Sequence, residues 1–313
     1  MLYRITHRTE YRYDEPVSAN YSEAHLLPRP LPHQSILESA LDVTPRPTDV
    51  AEHLDFFGNR MSYFAVDEPH TVLAVTARSV VDVRRHDALA LGGGPAWDAT
   101  PATPARLAPL DVEAIEARSF TLSSPLVVSS PDLRAFAEAS FPEGAPLVDC
   151  ARALSQRIHD EFEYKPGSTT IATGLKEVLA QRHGVCQDFA HLLVGCLRSM
   201  GLASRYVSGY LETEPPPGEE KLAGADASHA WAAVFVPGGG WLDLDPTNAT
   251  VPDERYITTA WGRDYADVTP LKGVVYSSGG DQVLHVAVDV VRLAASWDDG
   301  AGDTGPPGGT APH

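Results

Sequence analysis

The stretch Arg182-His183-Gly184-Val185-Cys186-Gln187-Asp188-Phe189-Ala190-His191 constrains this chain most, because it opens a helix on a cysteine. Gly184 breaks what precedes it. Phe189, Leu192, Leu193, Cys196, Leu197 and Met200 then recur at helical spacing, and Gly201 supplies the stop. A thiol in a first helical turn lies beside unpaired backbone N–H groups and the positive end of the helix dipole, which suit a thiolate and can hold an oxyanion. An ordinary free cysteine is a small buried hydrophobe, and Cys196, on the apolar stripe with Leu192, Leu193 and Met200, reads as one. Cys186, at the helix start, reads as a nucleophile.

A thiolate nucleophile needs a base. Ala227-Ser228-His229-Ala230-Trp231-Ala232-Ala233-Val234-Phe235-Val236 alternates like a strand, with His229 at its start. The turn Pro237-Gly238-Gly239-Gly240 leads into Trp241-Leu242-Asp243-Leu244-Asp245-Pro246-Thr247-Asn248, so the two segments are expected to pair as an antiparallel hairpin. A loop centred near residues 238 to 239 sets residue 229 opposite about residue 248, and a slip or bulge of a few residues brings Asp245 within reach. Asp243 shares that face and is the rival acid by alternation. Pro246 ends the strand and leaves Asp245 at the sheet edge, nearer His229, which favours Asp245.

Three motifs, Gly184 to His191, Ser228 to Trp231 and Trp241 to Asn248, resemble those of the transglutaminase-like superfamily, with the papain-like order of a nucleophile on a helix, then His and Asp on successive strands. More specifically the chain resembles the bacterial two-domain branch, through Met1 to His7 at the start of an N-terminal β domain and Ala203 to Tyr210 in the core, up to about residue 293. The resemblance implies Cys186 as nucleophile, His229 as general base and acid, and Asp245 as the group that orients the imidazole, in agreement with the chemistry above. In animal transglutaminases a tryptophan upstream of the cysteine helps hold the oxyanion. Here no Trp lies between residues 98 and 230, which leaves Tyr164 as the upstream aromatic candidate beside the Cys186 backbone N–H. Gln187, Asp188 and His191 follow Cys186 and are expected to stabilise the helix start or to back the site. Gly262 to Val268 also matches a stretch seen in the bacterial branch.

His183, Cys186, Asp188 and His191 fit no closed zinc spacing, and a zinc-bound thiolate would not be a nucleophile, so neither metal nor cofactor is expected. Lys+Arg 24 against Asp+Glu 42 gives a net charge of −18, which repels phosphate backbones and anionic membrane surfaces. A peptide or protein substrate is expected, not nucleic acid or membrane. No apolar run follows Met1, and no long uninterrupted apolar stretch occurs elsewhere, which points to the cytoplasm. Cys150, Cys186 and Cys196 make no disulfide framework, as suits a reducing compartment.

The length of 313 residues and 43% hydrophobic content support two packed cores. Tyr3, Ile5, His7, Thr9, Tyr11 and Tyr13 alternate on one face, and strand-like runs recur around residues 36–44, 60–66 and 71–84. The expected fold is α+β. An N-terminal antiparallel β-sandwich covers residues 1–105, with 85–106 as its connection. A transglutaminase-like (papain-like) core covers 106–295, with a helix cluster packed on an antiparallel sheet, and a disordered tail covers 296–313. Helices are expected from Pro131 and over Leu147 to Phe162, and strands at about 203–212, 229–236 and 241–245. The segment 212–226 reads as an exposed loop or a groove wall, and the strand over 283–291 pairs with either domain. The expected function is cysteine-nucleophile acyl transfer on peptide amide or isopeptide bonds through a thioester, ending in hydrolysis. A transglutaminase-type protein-glutamine gamma-glutamyltransferase and a non-catalytic binding module are the alternatives. Oligomeric state is not readable from the sequence.

Overall fold

The computed structural model describes residues 1–84, 93–99, 112–213 and 228–294. Most of the expected connection, nearly all of the 212–226 loop and the expected tail lie outside the described residues. Strand β1 (Leu2–Ala24) carries the first sheet. Its first half pairs antiparallel with β5 (His70–Val83) and β13 (Gln282–Arg292), and its second half with β4 (Arg60–Val66) and β12 (Leu271–Ser277). Strands β2 (Gln34–Thr44) and β3 (Asp49–Leu54) extend beyond β5 and β4, giving seven strands in all. The register shift between Arg12 and Val17 marks where β1 changes partners. Leu73, Val75 and Ala77 from one half share a buried cluster with Ala24, Phe64 and Val66 from the other, so the sheet folds over itself as a sandwich. The period-two pattern read from the sequence leaves Tyr3, Ile5, His7 and Thr9 buried on one face of β1.

The sheet pairing cuts across the expected unit 106–295, because β12 and β13 return to the N-terminal sheet. Alternation in a strand shows that one face is buried, not which sheet buries it. That is why the sequence left 283–291 open.

Between the two passes through this sheet lies the α+β core. Helices α1 (Val112–Ser119), α2 (Pro131–Glu138), α3 (Leu147–Glu161), α4 (Leu175–Gln181) and α5 (Cys186–Ser199) precede or flank a four-stranded antiparallel sheet of order β10-β9-β8-β11. These strands are β8 (Ser204–Leu211), β9 (Ser228–Val236), β10 (Gly240–Leu244) and β11 (Tyr256–Gly262). Ser130 caps α2 by accepting from Leu133 N–H, with Pro131 pre-set for the first turn. On α5, Phe189, Leu192, Leu193, Cys196 and Leu197 are buried against α3, α4 and the sheet residues Ala232, Val234, Leu242 and Leu244. Gly201, at φ 83°, takes the left-handed turn that releases the chain from α5 into β8.

One edge of the core sheet is closed by the N-terminal sheet. Gln34 donates to Thr258 O at 2.8 Å and accepts from Thr258 N–H at 2.9 Å, as a neighbouring strand would. Asn59 does the same for Trp261, at 2.8 and 2.9 Å. The bulge between Thr258 and Ala260 turns both residues to this outer edge. Two side-chain amides thus satisfy β11 where a free edge would otherwise present unpaired backbone groups.

Candidate active site

Cys186 begins α5, and the turn that delivers it is built around Asp188. The Asp188 carboxylate accepts from Val185 N–H at 2.8 Å and from the Thr169 hydroxyl at 2.7 Å, tying the helix start to the preceding loop. A Cβ at Gly184 would stand 2.8 Å from the Asp188 side chain, so glycine is required there. Cys186 itself is half-buried and packs against the small group formed by Ala190, Tyr206, Ala230, Ala260 and Val268. Cys150 and Cys196 are buried. Burial lifts the Cys150 thiol, with the charge of Asp149 adding to it, and pushes Cys196 up to about 12.

His229, at the start of β9, holds Asp245 through Nε2 at 2.8 Å, and Cys186 is among the groups that raise its pKa. With Nε2 taken by Asp245, Nδ1 is the nitrogen left for the thiol. The hairpin register explains the contact: Gly240 lies opposite Val236 and Leu244 opposite Ala232. That register is one residue tighter than the loop length suggested, and it sets residue 245 opposite Trp231 and diagonal to His229 on the same face. No slip is needed. Asp243 lies opposite Ala233, one pair further along.

Asp245 is fully buried and accepts five hydrogen bonds. His229 Nε2, Asn248 Nδ2 (2.7 Å) and the Tyr256 hydroxyl (2.8 Å) converge on Oδ2, while the backbone N–H groups of Thr247 (2.8 Å) and Asn248 (3.3 Å) hold Oδ1. Burial alone would raise its pKa. The hydrogen bond and charge of His229, with Asn248 and Tyr256, outweigh burial and hold the carboxyl below its ordinary range. For His229, burial again acts first and lowers the pKa, but the hydrogen bonds and charges of Asp245 and Cys186 push it up to about 10. The imidazole is therefore protonated at neutral pH, on the Cys186 side of the site at the start of α5.

The remaining candidates divide. Tyr164 lies on β6 (Glu163–Tyr164), which pairs in parallel with β7 (His183–Gly184), and is half-exposed, with its ring 6.4 Å from that of Phe189. Burial, then the charge of Cys186, raises its pKa, so its hydroxyl stays a donor. Gln187 is half-buried beside Cys186. His191 is buried against Tyr206 and accepts from Tyr265 N–H at 3.0 Å, and burial lowers its pKa to about 4. A neutral His191 thus pins the 262–268 segment to α5. Asn248 and Tyr256 escaped the sequence reading of the site. Asn248 stood inside a quoted motif without a role, and nothing local to Tyr256 shows that its hydroxyl reaches Asp245.

Residues 3–82 match the family model for the bacterial transglutaminase-like N-terminal region, and residues 134–246 match that of the transglutaminase-like superfamily. The second span contains Cys186, His229 and Asp245. An uncharacterised protein of Mycobacterium tuberculosis is 45% identical over 296 residues, covering 92% of each chain. A protein-glutamine gamma-glutamyltransferase of Pseudomonas aeruginosa is 34% identical over 129 residues, which is 40% of this chain and 19% of that protein. A crystal structure from Cytophaga hutchinsonii, provisionally named a cysteine protease, superposes with a TM-score of 0.71 at 23% identity, covering 96% of this chain and 94% of the other, and shares the fold. On these matches the chain belongs to the transglutaminase-like superfamily, with a bacterial transglutaminase-like N-terminal region ahead of the core.

Proposed function

We propose that the chain is a cysteine-nucleophile acyl-transfer enzyme acting on peptide amide or isopeptide bonds, with Cys186, His229 and Asp245 as its triad. The observation that carries this reading is the buried His229–Asp245 contact at 2.8 Å, with Cys186 at the start of α5 among the groups that raise the pKa of the same imidazole. The Cys186 thiolate, its proton already on His229, attacks the carbonyl carbon, and the oxyanion is held by N–H groups at the start of α5, with the Tyr164 hydroxyl as a second donor. The C–N bond breaks as His229 gives its proton to the leaving amine, leaving a thioester. Water then attacks the thioester as His229 takes its proton, the C–S bond breaks, and the acid leaves Cys186 as a thiolate beside the protonated His229. Hydrolysis is the preferred second step, since water is always present and, among the described residues, no feature marks a dedicated amine site. Amine transfer is the second reading, favoured by the similarity to the Pseudomonas glutamyltransferase. Three free cysteines fit a reducing compartment.

The test uses a glutamine-containing peptide library and mass spectrometry of the whole chain. A thioester adduct on Cys186, absent from Cys186→Ala and His229→Ala, is the expected result. Adding a primary-amine probe then separates transfer from hydrolysis. Equal turnover by Cys186→Ala would sink the proposal.

A further inference from the structure

Tyr256 opens β11, and its hydroxyl donates to the same Asp245 oxygen that holds His229. It is buried, and that burial, followed by the charge of Asp245, raises its pKa, so the hydroxyl keeps its proton and remains a donor. Its ring lies 6.0 Å from His229 and 5.4 Å from Trp231, which itself lies 6.1 Å from His229. The imidazole is therefore walled by two aromatic rings, and its acid is anchored by one of them. Two residues along the same strand, Thr258 is held through both its N–H and its C=O by Gln34 from the N-terminal sheet. Gln34 is buried and is fixed in turn by donating to Arg29 O at 2.8 Å.

A carboxylate held at one oxygen can turn about its Cβ–Cγ bond. The backbone N–H groups of Thr247 and Asn248 hold Oδ1, and the aim of Oδ2 at His229 is set by its two further donors, the Asn248 amide and the Tyr256 hydroxyl. Resting on the reading of Cys186, His229 and Asp245 as a triad, we infer that Tyr256 is a positioning residue for the Asp245–His229 pair. The N-terminal sheet holds Tyr256 in register through the Gln34 amide. The N-terminal region is then a working part of the catalytic centre.

The experiment follows the His229 imidazole by NMR titration, and the iodoacetamide labelling rate of Cys186 by mass spectrometry, in the full chain. Tyr256→Phe keeps the ring and removes the donor. It should lower the His229 pKa by about one unit, the scale of one hydrogen bond to a charged group, and slow Cys186 labelling several-fold at neutral pH. Gln34→Met should shift both in the same direction by less. If Gln34→Met does not fold, Gln34→Glu, which keeps the acceptor for Thr258 N–H and loses the donor, takes its place. A Tyr256→Phe protein with lower Tm but unchanged His229 titration and Cys186 labelling would mean that the tyrosine is structural only. A rise in the His229 pKa would also overturn the inference, since the hydroxyl would then merely draw charge from the carboxylate. Unchanged titration in the Gln34 variants would remove the N-terminal brace. Failure of the triad reading looks different: wild-type Cys186 would label no faster than Cys150 and Cys196, with His229→Ala changing nothing.

Discussion

A carboxylate taken wholly out of water costs several kcal/mol unless donors replace its hydration, and Asp245 replaces that hydration with five hydrogen bonds. The arrangement links pH to stability. His229 has a folded-state pKa near 10 against an ordinary 6.5, so its protonation favours the fold. That contribution is complete below 6.5 and disappears as the pH rises through about 10. Wild-type protein should therefore lose urea stability steadily across this window, and Asp245→Asn, whose neutral amide no longer raises the imidazole, should lose little of it. Identical slopes in the two proteins would show that the ion pair does not form. Asp245→Asn should also cut turnover by about 10³–10⁴-fold, as expected when the group orienting a catalytic imidazole is neutralised.

At the scale of elements, the start of α5 sets the direction of the sulfur. Replacing Asp188 by Ala orphans Val185 N–H and releases Thr169, which should cost about 2 kcal/mol and slow Cys186 labelling. Gly184→Ala should do the same through a steric route, because its Cβ meets the Asp188 side chain. A Gly184→Ala protein with wild-type Tm and labelling would show that the turn adjusts freely. The elements legible in the sequence are those whose order is local. The α5 stripe from Phe189 to Met200 and the hairpin across Gly238 declare themselves by period and turn chemistry. The Cys186, His229 and Asp245 candidates follow from them. The strand over 256–262 was not legible, nor was the role of Tyr256, since both depend on pairing with β8 and on a bulge that sequence spacing does not encode. The short α4 and the exposed β3 carry too little apolar periodicity to stand out.

Across the whole molecule, the chain begins in one sheet, builds the core, and returns to close the sheet it left. Tyr3 and Ile5 of β1, Val81 and Val83 of β5, and Val288 and Val290 of β13 share one buried cluster with Tyr210 and Ile257 of the core sheet. His7 adds a polar link, with Nδ1 at 3.0 Å from the Tyr210 hydroxyl, which donates onward to Leu26 O at 3.0 Å. Neither sheet can unfold without exposing this shared apolar surface and the β11 edge that Gln34 and Asn59 cover. Thermal unfolding should therefore be one cooperative transition by calorimetry, with the van't Hoff and calorimetric enthalpies in agreement. Val288→Ala, in the last strand and far along the sequence from Cys186, should lower the midpoint of that transition by the equivalent of about 1.5–3 kcal/mol without splitting it. Two resolved transitions, with Val288→Ala moving one alone, would mean that the returning strand stabilises only its own sheet and that the shared cluster does not couple the two.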